Sequence, residues 1–165
     1  MIEEAALPVE VTIPCPLWVD ACANAAEIAE TAARLVLLRA GAPRAAVVDV
    51  TLADDQTQRT LNRTWRDKDT STNVLAFPAA DEATPLPDGA PLLIGDVILA
   101  YETVAREAAE QDKSLADHLR HLVVHGVLHL LGCDHIEAAD ATQMEAREIA
   151  ILAELGVSNP YRDII

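Results

Sequence analysis

The sequence predicts an α+β domain in which a small mixed sheet of about four strands packs with about five helices. Short β-branched runs alternate with long segments of helical spacing, and a group of three histidines lies at the end of one predicted helix. The chain has 165 residues, of which 51% are hydrophobic, so it is long enough to bury one core. We therefore treat residues 1–165 as a single domain and expect residues 1–8 and 158–165 to be loose tails.

The first third of the chain alternates between predicted strands and helices. Residues 9–13 (VEVTI) and 45–53 (AAVVDVTLA) are β-branched and apolar, which predicts two strands. An alanine-rich helix over residues 19–40 lies between them and ends at Gly41. Asp54 is a good N-cap for the next helix, DQTQRTLNRTWR.

This next helix contains the basic segment 59–68, with four basic residues and one acid. Because Arg59, Arg63 and Arg66 recur every three or four residues, they share one helix face. For Arg59 and Arg63, a solvated face paired with neighbouring acids is the favoured interpretation. Helical spacing predicts that Trp65 is a core anchor.

Two more strands and a loop follow. Residues 73–78 predict a strand, residues 79–91 a surface loop rich in Pro, Asp and Gly, and residues 91–100 a fourth strand. Gly95 and Asp96 interrupt the fourth strand, which indicates a bulge or a close approach of another backbone. We favour a structural role for Asp96 over a place in a functional site.

The rest of the chain is predicted to be helical. Ser114 with Asp117 forms a capping pattern, Gly132 is a helix stop, and Asp140 with Gln143 is a second helix start. The predicted helices are 101–111, 115–131 and one that opens at Asp140 and closes at Gly156.

The sequence HGVLHLLGCDH (125–135) predicts a three-histidine metal site at a helix end. His125 and His129 are four residues apart and share a helix face, and Gly132 lets the chain turn back to bring His135 to the same ion. Three imidazoles suit zinc, one ion per chain, although nickel and iron also accept imidazole. They leave a position for a water whose pKa falls toward about 7, which favours a catalytic over a structural ion.

Other interpretations of the histidines are weaker. Cys133 would close the site as a fourth, structural ligand, but its place in a tight turn is expected to direct it away from the ion. Ordinary surface or core histidines would not be expected at this spacing. His118 and His121 continue the same helix face, where we expect His118 to be solvated and His121 at most to support a ligand.

The residue that follows the first ligand argues against a zinc protease. The spacing matches a long zinc-protease signature, but Gly126 stands where the protease has its glutamate base. Gly126 instead lets something bulky, such as a backbone or a ribose-phosphate, approach the helix. Asp134 is a candidate hydrogen-bond partner of a ligand imidazole, and no general base is identified.

Charge and composition set broad limits. The net charge of −15 is unfavourable for binding nucleic acid except where positive charge is local. No apolar run approaches the roughly 18 residues of a membrane span, and the first residues lack the features of a signal peptide. The three cysteines form no disulfide framework, so a reducing cytoplasm is expected.

Three blocks in order resemble the bacterial YbeY endoribonucleases, which are rRNA maturation factors. They are HGVLHLLGCDH (125–135), LNRTWRDKDTSTNVLAFP (61–78) and IGDVILA (94–100). One departure is Cys133, where the family usually has tyrosine. Since that residue is not a ligand in the family pattern, the metal site is retained.

The resemblance implies zinc bound by His125, His129 and His135, and a role in 16S rRNA 3′-end processing and ribosome quality control. It also implies that Arg66 is a functional arginine. We hypothesise that Arg66 clamps a phosphate, because a guanidinium offers two-pronged hydrogen bonds. Arg63 and Lys68 would steer the RNA strand.

Two other functions are retained. In one, the protein is a metal-stabilised, non-catalytic assembly factor that binds the small ribosomal subunit through the basic segment and through ribosomal or assembly-factor proteins. The other, a hydrolase of small substrates or peptides, is weakened by Gly126. No membrane partner is expected.

Overall fold

The computed structural model describes residues 9–42, 46–79, 92–132 and 138–161, with the side chains of 138–141 excepted. The predicted loop 79–91, apart from its first residue, lies outside these ranges. So do the candidate ligand His135 and its neighbours Cys133 and Asp134. Among the described residues, no helix has the length and apolar character needed to cross a membrane.

Four strands and six helices make up the described part of the chain. In chain order they are β1 (Val9–Thr12), α1 (Leu17–Ala21), α2 (Ala25–Arg39), β2 (Ala46–Ala53), α3 (Asp55–Arg66), β3 (Val74–Pro78), β4 (Leu92–Ala100), α4 (Tyr101–Glu110), α5 (Leu115–Leu130) and α6 (Ala138–Glu154). The predicted α+β class is therefore confirmed.

Two predicted helices differ from the observed ones. The segment 19–40, predicted as one helix, forms α1 and α2, separated by an extended residue at Cys22. Trp18 explains the break, because its indole Nε1 donates to the carbonyl of Ala53 at 2.9 Å and fixes α1 against the end of β2. The last helix starts at Ala138, two residues before the predicted cap Asp140.

The predicted caps of two helices are confirmed. The Asp54 carboxylate accepts from the backbone N–H of Thr57 at 2.8 Å, and the Ser114 hydroxyl accepts from that of Asp117 at 3.0 Å. Each satisfies a donor that the first helical turn cannot pair. α3 and α5 therefore begin where the local sequence predicts.

The sheet has the order β1-β2-β4-β3. β1, β2 and β4 are parallel, whereas β3 is antiparallel to β4 and forms an edge. The predicted irregularity in β4 is confirmed, since Val47 pairs with Leu93 and Val48 with Gly95, which leaves one extra residue between them. A Cβ at Gly95 would lie 2.5 Å from the carbonyl oxygen of Phe77, so the backbones meet too closely for a side chain.

Helices cover both faces of this sheet. α2 and α5 pack on one face with α6 against them, and α3 packs on the other face, against β4. Close packing of α5 depends on Gly126, where an added Cβ would lie 2.8 Å from Cγ1 of Val97. The bulky group that approaches Gly126 is therefore the sheet itself, not the ribose-phosphate considered from the sequence.

Candidate active site

A cleft of about 300 Å³ lies between α5 and the edge strand β3. It brings together three of the predicted site residues, His125, His129 and Arg66. The described residues that line it are Arg66, Asn73, Val74, Leu75, Ala76, His121, Leu122, His125, Gly126, His129 and Tyr161.

Four histidines form a row along one face of α5. The ring centroids of His118 and His121 are 5.9 Å apart, those of His121 and His125 6.4 Å, and those of His125 and His129 5.7 Å. The predicted shared face of His125 and His129 is confirmed. Their neighbour His121 also lines the cleft.

Glu148 of α6 is the hydrogen-bonding centre of this row. Its carboxylate is fully buried and lies 2.9 Å from Nε2 of His121 and 3.3 Å from Nδ1 of His125. The hydroxyl of Tyr161 donates to it at 2.7 Å. Burial alone would raise the pKa of Glu148, but the hydrogen bonds from His121 and His125 outweigh burial and lower this pKa to about 2.

Tyr161 closes one side of the cleft from the segment that follows α6. Its ring meets the His121 ring edge to face, with centroids 5.8 Å apart. Burial, followed by the hydrogen bond to Glu148, raises the pKa of Tyr161 above its ordinary value. The phenol therefore stays protonated and acts as a hydrogen-bond donor to the carboxylate.

The geometry of His125 fits a metal ligand. Nδ1 of His125 lies 3.3 Å from the carboxylate of Glu148, which when ionised only accepts hydrogen bonds, so this contact suits a ring that donates from Nδ1. A carboxylate that orients a ligand imidazole in this way is a recurring feature of zinc sites. The described residues hold no complete set of three metal-ligating side chains, since the third candidate, His135, lies outside them.

Arg66 reaches the cleft around the edge of the sheet. Its Nη2 donates to the carbonyl of Ala76 at 2.5 Å, and its guanidinium lies 4.8 Å from the centroid of the Phe77 ring. These two contacts fix the position of the cation next to the histidine row. Four of the five guanidinium N–H groups are not used by the bond to Ala76.

Arg66 also borders a second groove, of about 730 Å³, beside α3. Asp96 and the exposed Trp65 line this groove and not the cleft. Burial, followed by the charge of Asp49, raises the pKa of Asp96. The groove is lined by Thr51, Leu61, Trp65, Arg66, Phe77, Pro78, Ala79, Leu93, Asp96 and Ile98.

The other basic residues of α3 lie away from the cleft. Asp69 pairs with Arg59 at 2.8 Å and with Arg63 at 3.5 Å, and all three side chains are more than half exposed. The solvated, acid-paired face expected for Arg59 and Arg63 is confirmed. Lys68 is exposed, and neither it nor Arg63 is among the described residues that line the cleft.

Two side chains contradict their predicted surroundings. His118 is 2% exposed rather than solvated, because α4 covers it and its Nε2 lies 2.9 Å from a carboxylate oxygen of Glu107. Trp65 is 71% exposed rather than a core anchor. The face of α3 that meets the sheet holds Gln58 and Asn62, and the next residue of that i, i+4 series is Arg66.

The sequence prediction missed Glu148 and Tyr161. Glu148 shares the apolar face of α6 with Met144, Ile151 and Leu152, all of which are buried. An acid in a buried apolar stripe is a signal that could have been found, because it requires hydrogen-bonding partners. Tyr161 gave no comparable signal, since it is a single aromatic residue in a polar segment.

Fold and site together define an α+β protein with a histidine-lined cleft on one helix and a fixed arginine opposite. Residues 19–156 match the family model described as Endoribonuclease YbeY, and the chain belongs to this family.

Similar proteins span nearly the whole chain. The Endoribonuclease YbeY of Paramagnetospirillum magneticum is 50% identical over 157 residues, which cover 94% of this chain and 96% of that protein. The Endoribonuclease YbeY of Azorhizobium caulinodans is 50% identical over 158 residues, with the same two coverages. A solution structure of a Thermotoga maritima protein matches with a TM-score of 0.62 at 20% identity, over 94% of this chain and 99% of that one, and shows the fold alone.

Proposed function

We propose that the protein is a zinc-dependent, single-strand-specific endoribonuclease of the cytoplasm that acts in late 16S rRNA 3′-end maturation and ribosome quality control. Membership of the endoribonuclease YbeY family supports the reaction class. The observation that carries the proposal is that Arg66 lines the same cleft as His125 and His129. The guanidinium of Arg66 and two candidate metal ligands therefore line the same cleft.

His125, His129 and His135 would hold the ion, one per chain. When bound, a zinc ion supplies a Lewis acid for a phosphoryl oxygen and a nucleophile near neutral pH. Nickel and iron accept the same ligands. The contact between Nδ1 of His125 and Glu148 and the helix face that His125 shares with His129 support this assignment.

Arg66 would bind the phosphodiester group. Its contacts with the Ala76 carbonyl and the Phe77 ring hold the guanidinium in place before RNA arrives, which reduces the entropy lost on binding. The N–H groups not used by Ala76 are donors for two phosphate oxygens. Arg63 and Lys68, on either side of Arg66 in the basic segment, would act only through long-range attraction of the RNA.

The size of the cleft supports single-stranded RNA as the substrate. About 300 Å³ is at the lower end of the range for small-molecule sites, which suits a nucleotide-sized segment of a strand and not a duplex. Sequence-specific RNA binding also occurs mostly on single strands, whose bases are exposed.

The test is cleavage of a single-stranded 16S rRNA 3′ precursor by purified protein, with and without a chelator. We expect cleavage that the chelator abolishes, that added zinc restores, and that His129→Ala lacks while its circular dichroism stays native. Arg59→Ala, purified in parallel, is the matched control and is expected to cleave normally. Equal cleavage by wild-type and His129→Ala proteins, insensitive to the chelator in both, would show that the histidine cleft is not needed for cleavage and would contradict the proposal.

A non-catalytic assembly factor is the second candidate. Trp65 is 71% exposed beside a largely apolar groove on a protein of net charge −15, and such a surface suits a protein partner better than bare RNA. Binding to small ribosomal subunits without chelator-sensitive cleavage would favour this function. The partners in both cases are rRNA, the small subunit and its ribosomal or assembly-factor proteins.

A further inference from the structure

We propose that Glu148 is a positioning residue that makes His125, and not its neighbour His121, a metal ligand. It does so by fixing the position of the ring hydrogen on His125 and His121 before an ion arrives. The inference deepens the proposed function and rests on it for the identity of the site.

Because Glu148 is buried, its carboxylate must have hydrogen-bonding partners. Its side chain is fully buried between α5 and α6, where an unpaired carboxylate would be strongly unfavourable. His125 of α5 and Tyr161 beyond α6 are hydrogen-bonded to it, and Nε2 of His121 on α5 lies 2.9 Å from it as an ion-pair contact. A buried acid is retained only when its oxygens are paired in this way.

The carboxylate meets the two histidines through different ring nitrogens. It faces Nδ1 of His125 at 3.3 Å but Nε2 of His121 at 2.9 Å. Because an ionised carboxylate only accepts, His125 is held with its hydrogen on Nδ1 and His121 with its hydrogen on Nε2. The two imidazoles are thereby set in opposite tautomers by one acid.

The opposite tautomers separate a ligand from a non-ligand. In His125 the lone pair lies on Nε2, the outer ring nitrogen, which suits an ion in the cleft. In His121 the lone pair lies on Nδ1, which is buried and has no hydrogen-bond partner among the residues that the structure describes. His121 lines the cleft but cannot offer Nε2 to a metal while Glu148 holds its hydrogen there.

Tyr161 would hold the carboxylate itself. Its hydroxyl donates to Oε1 of Glu148 at 2.7 Å, and its ring packs edge to face on His121. The bond restricts rotation of the carboxylate, so both imidazole contacts can form at once. The segment after α6 is thus coupled to the candidate ligand on α5.

The first test is zinc affinity, measured by competition with a chromophoric chelator. Glu148→Gln keeps the shape but loses the charge, and we expect about 10- to 100-fold weaker binding, the usual effect of losing a partner behind a ligand. Tyr161→Phe should weaken binding less. Glu154→Gln, on the exposed surface of the same helix, is the matched control and should bind like the wild type.

The second test needs no variant. Long-range ¹⁵N–¹H spectra of the zinc-free wild-type protein at about pH 8, where imidazole is neutral, report which ring nitrogen bears the hydrogen. We expect Nδ1–H for His125 and Nε2–H for His121. The same tautomer in both rings would overturn the inference, even if Glu148→Gln fails to fold.

The outcomes separate this inference from the proposed function. A wild-type protein that binds no zinc contradicts the proposed metal dependence, while the tautomer spectra still test the role of Glu148. A folded Glu148→Gln protein that binds zinc as tightly as the wild type overturns the role of Glu148 and leaves the proposed function standing.

Discussion

The two faces of the sheet place charged side chains in opposite surroundings. On the α5 face, Glu148 is 0% exposed and its partner His121 is 14% exposed. On the α3 face, Arg59 and Asp69 form an ion pair whose side chains are 56% and 52% exposed. Each pair joins a carboxylate to a nitrogen-bearing side chain, but only the pair of Glu148 and His121 is shielded from water.

This difference decides what each pair can do. The buried carboxylate must keep its donors, so it fixes the rings of His121 and His125 in place. At the surface, the hydrogen bond from Arg59 lowers the pKa of Asp69, but water and salt screen the pair and leave its side chains easy to move. Arg66 lies between these extremes, since a backbone carbonyl and an aromatic ring hold it rather than an acid.

The largest expected effect is on the rate of RNA cleavage, and it tests whether Arg66 is held as firmly as the buried rings of His121 and His125. Arg66→Ala should reduce RNA cleavage by about 10²- to 10³-fold, because a preorganised cation next to the reacting phosphate is removed. The measurement is the single-turnover cleavage rate of the folded variant, with Arg59→Ala as the surface control. Unchanged cleavage by Arg66→Ala would remove Arg66 from the reaction.

The next effect concerns metal binding at the α5 face. Ligand imidazoles must be neutral, so zinc affinity should decrease as the pH falls below about 6. Dialysis at a series of pH values, followed by metal analysis, measures the zinc retained per chain. Retention that stays constant down to about pH 4.5 would contradict a site of three imidazoles.

A smaller effect involves the buried pair of His118 and Glu107. Burial lowers the pKa of His118 despite the hydrogen bond to Glu107, and Lys113 and His121 also act to lower it. As the pH falls below about 6.5, the unfolded imidazole binds a proton before the folded one does, so stability decreases.

Glu107 adds to this acid sensitivity at lower pH. Burial acts to raise its pKa, but hydrogen bonds from His118 and Asn73 outweigh burial and lower it, so its contribution is present above its unfolded pKa and is lost below. Urea unfolding of zinc-free protein between about pH 7 and 5 covers the histidine range and stays above the ordinary pKa of Glu107. His118→Asn should show a weaker pH dependence than the wild type, and an identical slope would contradict the assignment.

The smallest effect is expected for the exposed Trp65, and the buried Trp18 provides the contrast. Trp65→Ala should change the free energy of unfolding by no more than about 0.5 kcal/mol, since the side chain is 71% exposed. Trp18→Ala should cost about 3–5 kcal/mol, because that ring is fully buried and donates to Ala53. Urea unfolding checks both, and a large loss for Trp65→Ala would show that α3 depends on it for packing.

The predictions that succeeded were local. The caps at Asp54 and Ser114 and the shared face of His125 and His129 depend on residues a few positions apart. Side-chain chemistry and helical periodicity set such features without reference to the rest of the fold. For the same reason, seven of the ten elements lie within one residue of their predicted bounds, namely β1, β2, α3, β3, β4, α4 and α5.

The predictions that failed concerned what covers a helix. Helical spacing placed His118 on the histidine face but could not show that α4 lies over it. Trp65 has the spacing of a core residue, yet α3 meets the sheet through Gln58 and Asn62. Helical periodicity identifies which residues share a face, whereas the neighbouring elements decide whether that face is exposed to solvent or buried.

By itself, the sequence determined most of the elements, the caps of α3 and α5 and the row of candidate ligands on α5, because these follow from interactions within one or two turns. Only the tertiary structure decided that Glu148 and Tyr161 meet His125, and that Arg66 reaches the same cleft around β3. Those contacts join residues far apart in the chain. They form only after the apolar faces of α5, α6 and the sheet have packed, and no local pattern specifies which polar groups that packing brings together.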